Sequence, residues 1–492
     1  MIDAEVIIIG SGFSGIGAAI ELKKAGFSFV VLERASDIGG TWRDNQYPGI
    51  AVDITSFTYS YSFEQYPYWN RVFAKGDELY QYAQHCVDKY NIRANFQYNV
   101  DVEKAIFNEQ NSTWTLIAKN GKSFTCNVII SATGALTDPK FPEIKGIEKF
   151  KGELVHTARW KQDLQLKNKK VAIIGTGASS VQIVPNIAPE VQKLTVYQRT
   201  PIWIMPKPDT TIPTSVKTLF QKLPFTQNSI RKITDKIMET VLVTAVVNYK
   251  QLPILVKSLE QFCLQFLKIQ VKDENIRKQL TPKYGFGCKR PSFSNTYLST
   301  FNRKNVELVT TSIQEITANG IVTSDGIERK MDVLIAATGF HVMKNSNYLN
   351  YELYGKNKLE LGAYWGQNRL QAYQGCAIPN FPNFFIIFGP YSASGLSWFN
   401  MIEIQMLHII RVLKEKRKRN VQQVEIKQTE HDKYFKYILK NQENTVFFNN
   451  NCGTSNSYYF DKFGDAPFLR PLSVAKSKKF SEHSDLNHYQ YH

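Results

Sequence analysis

Twice in this chain a short apolar run ends in a glycine-studded turn that opens onto a helical pattern. The first instance, EVIIIGSGFSGIGAAIELKKAGFSFVVLER (5 to 34), sets Gly10, Gly12 and Gly15 between two apolar runs, the second of which ends in Glu33. This order predicts a strand–helix–strand unit folded around a pyrophosphate. The first glycine makes the tight turn, the second lets backbone approach the phosphates, and the third lets helix pack on strand. The helix N-terminus supplies unpaired amides and partial positive charge. Glu33 is placed to accept hydrogen bonds from both ribose hydroxyls, and Ser14 and Arg34 belong to the same site. The second instance, KKVAIIGTGASSVQIVPNIA (169 to 188), carries Gly175 and Gly177, with Ser179 and then Ser180 in the third position. It continues through KLTVYQRTP (193 to 201), whose strand ends in Arg199 and Thr200 instead of an acid. A carboxylate there would repel a 2′-phosphate, whereas a guanidinium binds it as a fork. One site for a free ribose and one for a 2′-phosphate imply FAD in the first and NADPH in the second. Two further strands, ending in SATG (131 to 134) and AATGF (336 to 340), have the small residues expected where chain crosses between two nucleotide domains.

The 492 residues exceed the length at which one core stops growing, about 250 to 300, so more than one domain is expected. A formal charge of +17 favours anionic partners, phosphorylated cofactors included. The densest basic run, KEKRKR (414 to 419), follows MLHIIRVL and reads as the solvated end of a helix; no nucleic-acid-binding motif accompanies it. Cys86, Cys126, Cys263, Cys288, Cys376 and Cys452 include no close pair, which argues against a metal site and a redox dithiol and predicts reduced structural thiols. The start, MIDAEVIIIG, enters a strand without a secretory signal, so a cytoplasmic location is expected. METVLVTAVVNY (238 to 249) is too short to span a bilayer and predicts a buried or surface-lying helix. The polar, basic tail SKKFSEHSDLNHYQYH is expected to be loosely ordered.

Further motifs give the chain a resemblance over nearly its whole length. FKGELVHTARW (150 to 160) places Phe150, Gly152, His156 and Trp160 at the spacing of the fingerprint of type I Baeyer–Villiger monooxygenases, in the class B flavoprotein monooxygenases. Lys161 departs from the Pro or Asp that closes that pattern. Related flavin monooxygenases that oxygenate nitrogen and sulfur usually end it in Tyr or Phe. The resemblance implies that His156 sits on the linker between the nucleotide domains and shapes their motion. IGGTWRDNQYPGIAVDITSFTYSYSF (38 to 63) is similar to the family's flavin-covering segment, with Gly40, Thr41, Trp42 and Tyr59 at the cofactor cleft and Asp53 beside a catalytic arginine. That arginine corresponds to Arg290 in GCKRPSFSNTYLSTFNRKNVELV (287 to 309), preceded by Lys289, which matches a lysine on the NADPH 2′-phosphate. Residues 380 to 405 resemble the return to the FAD domain, with Gly389 and Pro390 turning beneath the flavin. Residues 451 to 467 resemble a late active-site loop, in which Tyr458 stands where a Trp is common.

The architecture implied is α/β, with two Rossmann-like dinucleotide-binding domains and a helical insertion. The FAD domain is expected over 1–140 and 336–492, the NADPH domain over 141–206 and 286–335, and the insertion over 207–285. The resemblance implies an NADPH- and O2-dependent oxidation of a ketone to an ester or lactone through a flavin peroxide, with Arg290 stabilising peroxide and adduct and Asp53 holding that guanidinium. A rival is oxygenation of a sulfide or amine, which needs no such arginine. Another is a non-catalytic flavoprotein that senses NADPH. The expected partners are a small-molecule substrate and oxygen, with no nucleic acid, no transmembrane segment and no metal.

Overall fold

The computed structural model describes residues 2–342, 348–393, 395 and 397–492, with only the backbone of Leu242. Strand Ala4–Ile9 forms the middle of the larger sheet because Val6, Ile7 and Ile8 are fully buried, as a parallel strand covered on both faces requires. It pairs in parallel with Phe29–Leu32 on one side and Ser123–Ser131 on the other. The antiparallel strands Val102–Asn108 and Thr113–Ala118 extend the sheet beyond Ser123–Ser131, and Phe384–Ile386 returns late in the chain to pair with that same strand. A second, wholly parallel sheet runs Val306–Val309, Lys193–Tyr197, Lys170–Ile174, Val333–Ala336, Glu153–His156. A three-stranded antiparallel meander, Ile313–Ile316, Gly320–Thr323 and Glu328–Lys330, sits between two of its strands in sequence.

Gly10 has φ +103°, and a Cβ there would lie 2.7 Å from the carbonyl oxygen of Ala132, where Ser123–Ser131 leaves its sheet. Gly175 repeats the geometry: φ +110°, with the carbonyl oxygen of Ala337 at 2.4 Å. Each first glycine is therefore forced twice over, by its dihedral and by the strand beside it. The two segments that pass between the sheets also bind one another. Lys140 N donates to Gly339 O at 2.8 Å and His341 N to Asp138 O at 2.9 Å.

The insertion is helical, with Thr214–Lys222, Pro224–Met238, a π-turn at Glu239–Val243, Thr244–Val247, Pro253–Gln270 and Glu274–Leu280. Val243, Ala245, Val247 and Tyr249 are buried, so the apolar run at 238–249 is a packed helix. Among the described residues no helix is long and apolar enough to cross a membrane. The basic run ends helix Trp398–Lys418, whose last turn carries Lys416, Arg417 and Lys418. Ser394 and Leu396, within the returning stretch, lie outside the described residues.

Two expectations are corrected. Cys288 and Cys452 form a disulfide across 164 positions, so reduced thiols are confined to Cys86, Cys126, Cys263 and Cys376, all buried. Sequence spacing cannot reveal a pair that only tertiary folding brings together. The tail is also ordered, through helix Val474–His483 and strand Tyr489–Tyr491 paired with Val424–Ile426. Its polar atoms are used inward: the His408 ring, 1% exposed, meets the Tyr489 hydroxyl at 2.8 Å and the Ser484 hydroxyl at 3.2 Å. Burial pushes the His408 imidazolium down to about 3, aided by Arg411 and Arg470. Its folded value is thus below the unfolded one, so the stability it contributes is complete above about pH 6.5 and drains away as pH falls toward 3. Thermal midpoints should fall on acidification through this window, and Tyr489→Ala should cost about 3–5 kcal/mol at neutral pH, as removal of a buried ring does. Scanning both proteins by calorimetry from pH 8 to 4 checks this.

Candidate active site

A cavity of about 390 Å³ collects most of the residues singled out above: Gly10, Gly12, Ser14, Glu33, Arg34, Gly40, Thr41, Trp42, Asp53, Tyr59, Ser179 and Arg290. It runs from the end of strand Phe29–Leu32, past the first glycine turn, to Arg290. A larger cavity, about 640 Å³, lies among helices Pro224–Met238, Trp398–Lys418 and Val474–His483, and touches neither glycine turn nor Arg290. The smaller one is where charged groups and glycine turns converge, so it is the candidate site.

At its outer end Glu33, 7% exposed, is fixed by Ser11, whose N and Oγ donate to Oε2 at 2.9 and 2.6 Å, and by Ala35 N on Oε1 at 2.8 Å. Arg34 is turned to the carbonyl of Thr137 at 3.3 Å. Gly15 does not line the cavity; a Cβ there would lie 1.9 Å from Gly10 O, so its role is close packing of helix on strand. The inner wall is aromatic and hydrogen-bonded. Trp42 Nε1 donates to Tyr59 Oη at 3.1 Å, and Trp398 Nε1 to Ser14 Oγ at 3.0 Å.

Arg290 and Asp53 face each other here as a fork, Nε to Oδ2 at 2.8 Å and a terminal nitrogen to Oδ1 at 2.9 Å. Burial alone would raise the Asp53 carboxyl; the Arg290 charge and hydrogen bonds, with Lys207 beyond, outweigh it and hold the carboxyl below its usual range. The Asp53 charge in turn raises Arg290. The side chains remain 33% and 27% exposed, so the pair is fixed yet open to the cavity. Tyr458, also on the cavity, stacks edge-on against Tyr459 at 4.9 Å and Phe468 at 5.6 Å. An aromatic side chain thus occupies the position where Trp is common.

Gly175, Gly177, Ser180, Arg199, Thr200 and Lys289 lie outside that cavity, at the second glycine turn and the segments facing it. Ser180 is fully buried, as close helix packing requires. Thr200 O accepts from Thr176 Oγ1 at 2.8 Å, and Thr200 Oγ1 accepts from Asn456 Nδ2 of the late loop at 2.9 Å. Burial pushes the Lys289 ammonium down, and the charge of Arg199 pushes it further. Among the described residues, neither cation has a carboxylate within ion-pair distance. Gly389 and Pro390 are buried but do not line the cavity; a Cβ on Gly389 would lie 2.4 Å from Gly375 O.

The fingerprint residues sit on the passage between the sheets. His156, 1% exposed, ends strand Glu153–His156. Its Nδ1 accepts from Ala158 N at 3.1 Å, which leaves Nε2 to donate to Gly339 O at 3.1 Å. Phe141 and Phe340, one from each passing segment, flank the ring at 5.1 and 6.0 Å. A Cβ on Gly152 would lie 2.6 Å from the Phe150 ring and 2.4 Å from Asp332 O. Trp160 packs on the core of the second sheet, and Lys161 pairs with Glu153 at 2.8 Å on the surface.

Residues 7–252 match the family model for pyridine nucleotide-disulphide oxidoreductases. Over 450 residues the chain is 35% identical to a Baeyer–Villiger monooxygenase of Pseudomonas aeruginosa, covering 91% of this chain and 84% of that one. To a Baeyer–Villiger monooxygenase of Streptomyces coelicolor it is 34% identical over 493 residues, 99% of this chain and 92% of that one. The chain belongs to the Baeyer–Villiger monooxygenases. This monooxygenase also shares its fold with OTEMO in complex with FAD and NADP, at TM-score 0.88 and 26% identity over the whole of both chains. The open structure of cyclohexanone monooxygenase, 23% identical, shows the same fold at TM-score 0.85 over the whole of both chains. As a member of its family the chain is an NADPH-dependent flavoprotein monooxygenase, although the matching model is named for disulphide oxidoreductases. Its single disulfide among the described residues lies in the core under the insertion and does not line the cavity.

Sequence reasoning missed Asn456, Trp398 and Phe468. Each comes from a segment far along the chain, and nothing local marks an asparagine or an aromatic as a cleft residue.

Proposed function

We propose that this enzyme inserts one oxygen atom next to a ketone carbonyl, giving an ester or lactone. The observation that carries this reading is the fork between Arg290 and Asp53, a permanent positive charge fixed at the edge of the cavity. Attack on a carbonyl puts negative charge on oxygen, and a preoriented donor stabilises that charge without reorganising. Oxygenation of a sulfide or amine creates no comparable oxyanion and needs no such group.

The cavity from Glu33 to Arg290 suits an elongated dinucleotide, with the glycine turn at its middle and an orienting carboxylate at the ribose end. Gly10, Gly12, Ser14, Gly15, Glu33 and Arg34 would hold the adenosine and pyrophosphate of FAD. Gly40, Thr41, Trp42, Asp53 and Tyr59 would line its ring system, with Gly389 and Pro390 supporting the fold behind. Gly175, Gly177, Ser179, Ser180, Arg199, Thr200 and Lys289 would hold NADPH, the two cations meeting its 2′-phosphate. Bound FAD supplies the centre that takes hydride from NADPH and activates dioxygen. Asp53 orients Arg290, the aromatic side chains of Trp42, Tyr59 and Tyr458 line the cavity, and His156 ties the two passing segments. In domain terms, 1–140 and 336–492 carry FAD, 141–206 and 286–335 carry NADPH, and 207–285 is the helical insertion. A cytoplasmic setting, with its NADPH supply, suits this chemistry.

The test offers a cyclic ketone and a thioether together, with NADPH and air. An ester or lactone sixteen mass units heavier than the ketone supports the reading, and sulfoxide as the sole product overturns it.

A further inference from the structure

We infer that the Cys288–Cys452 disulfide is a positioning pair for this reaction: it holds the loop of Asn456 and Tyr458 against the segment of Lys289 and Arg290. Its reduction loosens NADPH binding and uncouples coenzyme oxidation from oxygen insertion. Cys288 immediately precedes Lys289 and Arg290, while Cys452 opens the loop that reaches Asn456 and Tyr458. The bond therefore joins the two segments at their roots, with Cα atoms 5.2 Å apart. Both residues are buried, 0% and 9% exposed, among apolar side chains that include Trp203 and Phe286.

What lies beyond the bond gives it its consequence. Asn456 reaches Thr200 at 2.9 Å, on the NADPH side, and Tyr458 lines the cavity with Arg290. One backbone bond, from Gly285 N to Asn451 O at 2.9 Å, parallels the disulfide at the root. With the covalent tie gone, that bond, Asn451 Nδ2 on Lys283 O at 3.1 Å and the exposed Asn456 contact remain at the start of the loop, while Arg369 and Gln442 hold its far end through Asp465. A single exposed hydrogen bond holds a loop only weakly, whereas a cross-link over so long a stretch strongly restricts the open ensemble. The other four cysteines are buried and free, and none lines the cavity. A dithiol reagent opens the bond in a balanced exchange: its two thiols give up two electrons and two protons and close to a disulfide, and Cys288 and Cys452 become thiols. In a reducing compartment such a pair follows the thiol poise of its surroundings.

The inference rests on the assignment of Arg199, Thr200 and Lys289 to NADPH. It is tested on FAD-loaded enzyme purified without reductant. Denatured and alkylated, that protein should carry four labels, and six after dithiothreitol. If the closed loop falls to about a fifth of the population, the KM for NADPH rises about fivefold. More NADPH should then be consumed per product, with flavin reduction at saturating NADPH unchanged. The double variant Cys288→Ser, Cys452→Ser should show the same kinetics and ignore dithiothreitol; if it does not fold, reduction of the wild type decides alone. Six labels without reductant, or an opened bond with unchanged KM and coupling, overturns the inference. If Lys289→Ala leaves the KM for NADPH unchanged, the NADPH assignment fails instead, so the two failures are distinguishable.

Discussion

Arg290→Ala is expected to give a yellow, FAD-loaded enzyme that still oxidises NADPH but forms ester or lactone some 10²–10³ times more slowly, the range seen when one preorganised oxyanion donor is removed. The prediction follows from position. Arg290 stands at the end of the cavity opposite Glu33 and the glycine turn that would carry FAD, where the proposed reaction would place charge on substrate oxygen. Arg290→Lys should recover only part of the rate, because an ammonium keeps the charge but cannot form the two-point fork with Asp53. Asp53→Ala should fall between wild type and Arg290→Ala, since it frees the guanidinium without removing it. The Asp53 carboxyl is held below its usual range, so the pair is intact above the ordinary carboxylate pKa and is lost only as pH falls through the lowered folded value. Product by mass spectrometry, NADPH loss by absorbance and flavin content by spectrum are measured on the same samples. Unchanged product formation in Arg290→Ala removes the arginine from the mechanism.

Arg199→Ala and Lys289→Ala should each raise the KM for NADPH about ten- to a hundredfold and leave that for NADH nearly unchanged, from about 1.5–3 kcal/mol per charge-assisted hydrogen bond to phosphate. The two cations lie close enough for Arg199 to depress Lys289, with no carboxylate among the described residues to neutralise either. Bringing like charges together is unfavourable, and an anion between them relieves it. Steady-state kinetics with both coenzymes decides the matter. Equal losses with NADPH and NADH would mean that the pair supports the fold and does not read the 2′-phosphate.

Local features of the fold were legible in the sequence. Gly10 and Gly175 announce themselves because the tight turn between strand and helix needs a residue without a side chain at one fixed offset, and that offset survives in any linear reading. Partnerships across the chain were not. Asp53 and Arg290 lie 237 positions apart and were expected together only through the family resemblance. The disulfide and the ordered tail escaped for the same reason. A cysteine or a tyrosine carries no local mark of what will pack on it, and polarity in HSDLNHYQYH reads as solvation although His408 and Tyr373 take up its hydroxyl and ring nitrogen inside the protein. The small meander at 313–330 likewise needed the structure.

Both passes of the main chain between the sheets are lashed to each other at Lys140 and His341, with the His156 ring pinned across them. Any displacement that parts the two passes has to break those bonds first.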